Sequence, residues 1–324
     1  MPDVASPASP EDFPRTLVQF EKRFASEKSC RAYLRQVRWP HGFRCTCGSD
    51  RAWPVGRGEL VQCAACHRQI SVTSGTIFAD THKPLTLWFR AMWLVCGPKT
   101  GISALGLRSQ LGLGGYQTAW SWLHKLRRAM VRPGRDRLSG VVEVDETYVG
   151  GEEPGTRGRG TARKSLVVIA VEEAGTAMGR IRMKRIKDAS GESLKPFIRD
   201  AVELGSVVHT DAWGGYNGVE ALGYGRRITN IKASGNPAHE MLPRVHRVAS
   251  LLKRWLLGTH QGAVSREHID YYLDEFTFRF NRRRSASRGK LFYRLVQQAA
   301  AIDPAPYKSM VGGSARSPQD VGAT

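Results

Sequence analysis

Four of the six cysteines stand in two tight pairs, Cys45-Thr46-Cys47 and Cys63-Ala64-Ala65-Cys66, fifteen residues apart. Two thiols that close in sequence point to a common centre, and two such centres so near each other close on a single ion. Four thiolates around a tetrahedral Zn²⁺ suit this spacing, and the ion replaces the core that so small a module cannot build. Short alternating segments at Ala52–Val55, Glu59–Gln62 and Gln69–Thr73 supply the strands of a zinc ribbon. The second pair has the usual two-residue gap. The first is one residue short, which strains its knuckle, and His41 and His67 stand near enough to act as substitute ligands.

The alternative for paired cysteines is disulfides, and the rest of the chain argues against it. The N-terminal stretch MPDVASPASPEDFPR lacks a basic region followed by an apolar core, so export is not expected. No run of about 18 uncharged apolar residues occurs, so no spanning helix and no membrane partner are expected. A reducing cytoplasm follows, where clustered thiols hold metal. Cys30 lies alone in Thr16–Val37, an expected helix that packs Leu17, Phe20, Phe24 and Tyr33; it reads as a small buried hydrophobe.

Lys and Arg number 49 against 29 Asp and Glu, a net charge of +20. That excess points to a polyanionic partner, double-stranded DNA first among them. Residues 83–132 are helical in period. Leu85, Phe89, Met92, Trp93 and Val95 share one helix; Ile102–Leu111, a turn at Gly112, Gly114 and Gly115, and Gln117–Met130 then read as a helix-turn-helix. Thr118, Trp122, Lys125, Arg127 and Arg128 on its second helix suit a DNA groove, and a plain helical linker is the other reading.

After Arg132-Pro133-Gly134 the period changes. Val141–Thr147 alternates, with Val142 and Val144 on one face and Glu143 and Asp145 on the other. A glycine- and arginine-rich loop (150–164) precedes Leu166–Val171, a continuous apolar run expected of a buried strand. Arg180–Ile186 alternates like an edge strand, Ser190–Val202 is an amphipathic helix, and Ser206–Thr210 is a short strand ending at Asp211. A less regular span leads to VHRVASLLKRWLLGTH (245–260). On a helix, Val248, Leu251, Leu252, Trp255 and Leu256 form an apolar stripe opposite His246, Ser250 and Lys253, and Gly258 ends it. Ile269–Phe280 is a further helix, followed by the basic run Asn281–Arg284. The fold class expected is mixed α/β. Its parts are a lead-in (1–14), a zinc ribbon region (15–80), a helical region (81–133), an α/β domain (138–300) and a loose tail (301–324). Carboxylates at the ends of two strands, Asp145 and Asp211, can converge on divalent ions, two of them about 4 Å apart in a phosphoryl-transfer site.

VEVDETYVGG (142–151), HTDAWGGY (209–216), the 245–260 helix and YLDEFTFRFNRR (272–283) together resemble the DDE-type transposases of bacterial insertion sequences. The group resembled sets a zinc ribbon ahead of a ribonuclease-H-like catalytic domain. The resemblance implies Mg²⁺- or Mn²⁺-dependent cleavage at transposon ends and strand transfer into target DNA, by a homo-oligomer assembled on the DNA. It makes Asp145 and Asp211 the first two catalytic acids. The family's third acid precedes a helical Ser-x-x-Lys, filled here by Ser250 and Lys253; counting back seven from Lys253 places it at His246. Imidazole in place of Glu favours Mn²⁺ or a looser Mg²⁺ site, and Lys253 would approach the DNA phosphate. Glu143, Glu240, Asp274 and Glu275 are rival third ligands. A decayed copy that binds DNA without cutting it, and a nuclease without strand transfer, are the competing functions.

Overall fold

The computed structural model describes residues 12–56, 59–132, 134–150, 164–230, 238–262 and 264–311. Residues 1–11 of the expected lead-in, 151–163 of the glycine- and arginine-rich loop and 312–324 of the expected tail lie outside them. The described residues divide into two compact units, those within 12–132 with 284–311, and those within 134–283. The expected α/β domain ended at 300; residues 284–300 instead join the first unit, for a reason visible in its core.

In the first unit, the segment expected as one helix over Thr16–Val37 is two, α1 (Leu17–Arg23) and α2 (Glu27–Arg38). Thr16 and Ser26 each cap a helix N-terminus through the side-chain oxygen, and an N-cap residue sits outside the helix it starts, so Ser26 forces the break. Leu17 consequently faces outward, 54% exposed, while Cys30 is fully buried. The ribbon strands are β1 (Ala52–Val55), β2 (Leu60–Cys63) and β3 (Gln69–Ser71), an antiparallel sheet in that order. Helices α3 (Leu85–Cys96), α4 (Ala104–Leu111) and α5 (Tyr116–Arg128) follow. Gly112 (φ 61°) ends α4 in the left-handed conformation that a side chain would strain. The helix-turn-helix order is therefore present, but Trp122 and Arg127 of α5 are buried, and Trp122 stacks on Trp88 of α3 at 3.9 Å. Their expected place in a DNA groove is taken by packing. Late in the chain, α10 (Arg288–Ala301) completes this core. Phe292 is fully buried and meets Phe20, Phe24, Phe89 and Trp93 at ring separations of 5.3 to 5.8 Å. An aromatic of that size contributes about 3–5 kcal/mol when buried, which binds 284–300 to this unit.

The second unit is a five-stranded mixed sheet of β4 (Val141–Val149), β5 (Ser165–Ala174), β6 (Ala177–Ile186), β7 (Val207–Asp211) and β8 (Gly225–Thr229). Their order is β6-β5-β4-β7-β8. β4, β5 and β6 pair antiparallel; β7 runs parallel to β4, and β8 parallel to β7. This is the ribonuclease-H-like arrangement. β6 is the edge strand expected. β8 falls in the span expected to be irregular: Gly225–Thr229 carries two arginines and one exposed isoleucine, and no apolar run marks it. Val167, Val168, Ile169, Ala170 and Val171 of β5 are at most 1% exposed, because helices cover both faces. On one face α6 (Gly191–Ala201) packs Leu194, Phe197 and Ile198 against Val142, Val144, Val168, Ala170 and Val208. The other face carries the helix of residues 243–260 against β4 and β5. That helix, α8 (Pro243–His260), follows the single turn α7 (Ala238–Met241). Its buried residues are Val245, Val248, Ala249, Leu252, Trp255 and Leu256, with Leu251 half-buried at the stripe's margin. It passes the expected stop at Gly258 and ends at His260, where Gln261 (φ 53°) and Gly262 (φ 69°) turn left-handed. α9 (Ile269–Asn281) closes the free edge of β6: the Ile181 amide donates to Asn281 Oδ1 (2.7 Å), and Asn281 Nδ2 donates to the Ile181 carbonyl (3.1 Å). A last short helix, α11 (Tyr307–Val311), lies within the expected tail. No helix of the described residues is long and apolar enough to cross a membrane.

Candidate active site and metal centre

The four ribbon cysteines converge. Cys45 Sγ lies 3.6 Å from Cys66 Sγ, Cys47 Sγ lies 3.6 Å from Cys63 Sγ, and all four sulfurs fall within 4.8 Å of one another. Zn–S bonds of about 2.3 Å in a tetrahedron set S–S separations of about 3.8 Å, so the donors fit zinc in number, type and spacing. Neither His41 nor His67 joins the group. The short first knuckle closes because Gly48 takes φ 92° and donates its amide to the Cys45 carbonyl at 3.0 Å. The Cys63 thiol is pulled down to about 6, chiefly by the Cys66 amide against desolvation, with the Ala65 amide and Cys47 adding to it. These donors of the closed ribbon favour the thiolate, the form that binds Zn²⁺.

The second centre lies at the sheet. In the parallel pair, Glu143 stands opposite His209; two residues further along each strand come Asp145 and Asp211, on the same face by alternation. Asp211 is held by the Trp213 amide, which donates to Oδ1 at 3.0 Å, while the Trp213 indole donates to the Ala189 carbonyl at 2.7 Å. The glycine pair of Trp213-Gly214-Gly215-Tyr216 is unequal. A Cβ on Gly215 would stand 2.4 Å from the Ala189 carbonyl oxygen, whereas one on Gly214 meets nothing nearer than 3.8 Å. We expect Gly215→Ala to lower stability by about 1–3 kcal/mol and Gly214→Ala to be near neutral, read as denaturant midpoints; equal effects would contradict the close approach.

Asp145 accepts the Glu146 amide on Oδ1 at 2.8 Å, and His246 Nε2 of α8 lies 3.6 Å from its Oδ2. Side-chain exposures are 17% for Asp145 and 30% for His246. Burial, then the charges of Glu146 and Asp211, push the Asp145 carboxyl up to about 7, against the opposing Glu146 amide. Glu146 was not singled out from the sequence, because alternation turns it to the α6 face. There the buried Tyr216 donates its hydroxyl to Glu146 Oε1 at 2.8 Å, and desolvation beside that carboxylate raises the phenol well above its ordinary value. The shared motif of Asp145 with Glu146 and of Asp211 with Tyr216 was the available signal. Lys253 is exposed, one face with His246, and within electrostatic reach of Lys164. Ser250 turns its hydroxyl back to the His246 carbonyl at 3.0 Å. A groove of about 650 Å³ beside His246 is lined by Thr176, Met178, Pro243, Arg244, Arg247 and Ser250.

Among the described residues, Glu143, Glu173 and His209 form a second group of donors within 4.8 Å. A guanidinium already fills it: Arg244 Nη1 lies 2.7 Å from Glu143 and 3.5 Å from Glu173. The rival ligands Asp274 and Glu275 are buried on α9, which packs on β6, and Glu275 is paired with Arg279 at 2.7 Å. β6 lies three strand spacings from β7, about 14 Å at about 4.8 Å per strand, so neither reaches Asp211. Glu240 is exposed. Asp145, Asp211 and His246 are not among the described donor groups that lie within 4.8 Å of one another; His246 Nε2 meets Asp145 at 3.6 Å. Two carboxylates and an imidazole, with the Asp145 carboxyl raised first by burial and then by the charges of Glu146 and Asp211, form a donor set that divalent cations would suit.

Residues 137–281 match the ISXO2-like transposase domain, and residues 25–69 match the transposase zinc-ribbon domain. An uncharacterized protein in transposable element ISH50 of Halobacterium salinarum is 28% identical over 280 residues, covering 80% of this chain and 92% of that protein. Among solved structures, the catalytic core domain of BIV integrase aligns over 47% of this chain and 89% of its own at 18% identity and a TM-score of 0.31. The Mos1 transposase paired-end complex with left transposon end aligns over 73% and 82% at 13% identity and 0.30.

Proposed function

Since the chain belongs to the insertion-sequence transposases that carry an ISXO2-like domain behind a zinc ribbon, we propose that it cuts DNA at the ends of its element and joins them to target DNA. The observation that supports this reading is His246 Nε2 of α8 at 3.6 Å from Asp145 on β4, with Asp211 on the same face of the neighbouring β7 and near enough for its charge to act on Asp145. Water attacks the phosphodiester at each element end and frees a 3′-hydroxyl; that hydroxyl then attacks a target phosphodiester, displacing one target 3′-oxygen. Divalent ions bound there would lower the pKa of the attacking water and neutralise charge on the phosphate. Asp145 and Asp211 would hold them as carboxylates and His246 as neutral imidazole, a set that favours Mn²⁺ over Mg²⁺. Lys253 and Arg247 hold backbone phosphates along the groove, in keeping with the +20 charge of the chain.

The test is a plasmid carrying the element's ends, incubated with purified protein and Mn²⁺ or Mg²⁺. Cut ends bearing 3′-hydroxyls and joined to a second DNA are expected. His246→Ala and Asp211→Ala should abolish both products while binding the ends normally. Ends cut but never joined would make the protein a nuclease, and binding without cutting a DNA-binding derivative. Normal cleavage by His246→Ala, with loss in Glu240→Ala, would assign the third ligand elsewhere.

A further inference from the structure

α8 begins without a cap of its own. Leu242 occupies the N-cap position, where its side chain offers no acceptor, and Pro243 follows at the first helical position. The amides of Arg244 and Val245 are the ones an N-cap oxygen ordinarily receives. Both go to one oxygen of a residue a hundred positions away: they donate to Glu143 Oε2 at 2.8 and 2.9 Å. The other oxygen, Oε1, accepts from Arg244 Nη1 at 2.7 Å. The same guanidinium donates through Nη2 to the Gly175 carbonyl (2.6 Å) and through Nε to the Ala177 carbonyl (3.4 Å), both at the turn joining β5 to β6. Glu143 itself is fully buried, so neither water nor a mobile cation takes the place of these donors.

Glu143 precedes Asp145 by two residues on the same face of β4, and Val245 precedes His246 by one. The carboxylate therefore fixes the start of α8 one strand step from the acid that the helix's imidazole must meet. Its negative charge also sits at the positive end of the helix dipole.

We propose that Glu143 is a positioning residue: it caps α8 from within the sheet and thereby sets His246 against Asp145. The inference rests on the ligand set proposed above. Its test separates the cap from the charge, because Glu143→Gln can keep the single oxygen that takes both amides while losing the ion pair with Arg244. Two quantities are read on the full-length, zinc-loaded protein: hydrogen exchange across residues 243–250, and Mn²⁺ affinity from the electron paramagnetic resonance of free Mn²⁺.

Glu143→Ala is expected to speed exchange at the first turn of α8 and to weaken Mn²⁺ binding about 10- to 100-fold, the usual loss when a partner that orients a ligand is removed. Glu143→Gln should keep the exchange protection and stay within about threefold of the wild-type affinity. In a His246→Ala background, Glu143→Ala should cost no further affinity, since the imidazole it positions is gone. Unchanged exchange or unchanged affinity in Glu143→Ala, with His246→Ala weakened, would overturn the positioning role alone. Wild-type affinity in His246→Ala would instead bring down the ligand assignment, and the positioning role with it. Should Glu143→Ala not fold, Glu143→Gln decides: both readouts retained supports the cap, and affinity lost with protection retained overturns it.

Discussion

Asp145→Asn is expected to abolish DNA cleavage and, in the same protein, to raise the stability of the metal-free second unit at pH 8. The first effect follows from removing a proposed metal ligand. Metal-assisted displacement draws several kcal/mol from charge neutralisation, and at about 1.36 kcal/mol per tenfold in rate the loss is roughly a thousandfold or more. The second follows from the acid's environment. Burial and the nearby Glu146 and Asp211 push its carboxyl up to about 7 from an ordinary 3.8, so the folded state disfavours the ionised form. A group raised on folding contributes stability that is full below its unfolded pKa and lost as pH climbs through the folded one. The loss thus falls between about pH 4 and 7, and at pH 8 it is complete, about 4 kcal/mol at 1.36 kcal/mol per pH unit. Asparagine has no charge to bury. Calorimetry in divalent-free buffer should show the variant's transition above wild type at pH 8 and level with it near pH 4. A variant less stable than wild type at both pH values would show that the carboxylate is not strained in the apo protein. Added Mn²⁺ should stabilise wild type and leave the variant nearly unmoved.

Replacing Cys63 and Cys66 together with serine should unfold the ribbon and leave the second unit folded. The ribbon's apolar core is small: Cys45, Val61, Cys63 and Ile70, with Trp39, Phe43 and Ala52 against it. Two of those residues are the ligands themselves. A structural zinc contributes about 10–16 kcal/mol of apparent binding free energy at neutral pH, as much as the whole stability of an ordinary domain, so the module has no reserve once half its ligands go. About one zinc per chain is expected in wild type and none in the double variant. Hydrogen exchange should rise across residues 40–73 and hold steady across β4, β5 and β7. A folded, zinc-free ribbon would refute the assignment. α2 should loosen at its C-terminal end as well, because Arg38 donates to the carbonyls of Ser71 and Val72 at 3.0 and 2.9 Å.

Much of this protein is legible one residue at a time. The cysteine pairs declare their centre because ligand spacing is a local property of the chain, and the structure closes them without either histidine. The alternation of Val142-Glu143-Val144-Asp145 and the apolar run of β5 declare strands and their faces, since period and burial are written in composition. The order strand, strand, strand, helix, strand then leaves few ways to build a sheet. Where a local signal was weak, the reading failed: β8 has no apolar pattern because its pairing with β7 supplies backbone hydrogen bonds that any sequence can make. The break between α1 and α2 was passed over because the capping serine looks like any other polar residue inside an amphipathic run.

Other features exist only once the chain is folded. Phe292 belongs to the first unit rather than to the domain that precedes it in sequence, because contact among aromatics, not chain order, decides which core a helix completes. Trp122 and Arg127 read as available to DNA, and burial withdrew both, Trp122 through its stack on Trp88. The sequence and the resemblance named Asp145, Asp211 and His246; only the fold shows His246 of α8 standing 3.6 Å from Asp145. The elevated acidity threshold of Asp145 belongs to none of the residues but to the burial and like charge they create together. Glu143 is the sharpest instance. In the sequence it is one more acid on the face of a strand; in the fold it is the missing cap of a distant helix, because the two orphaned amides of Arg244 and Val245 meet its carboxylate on β4.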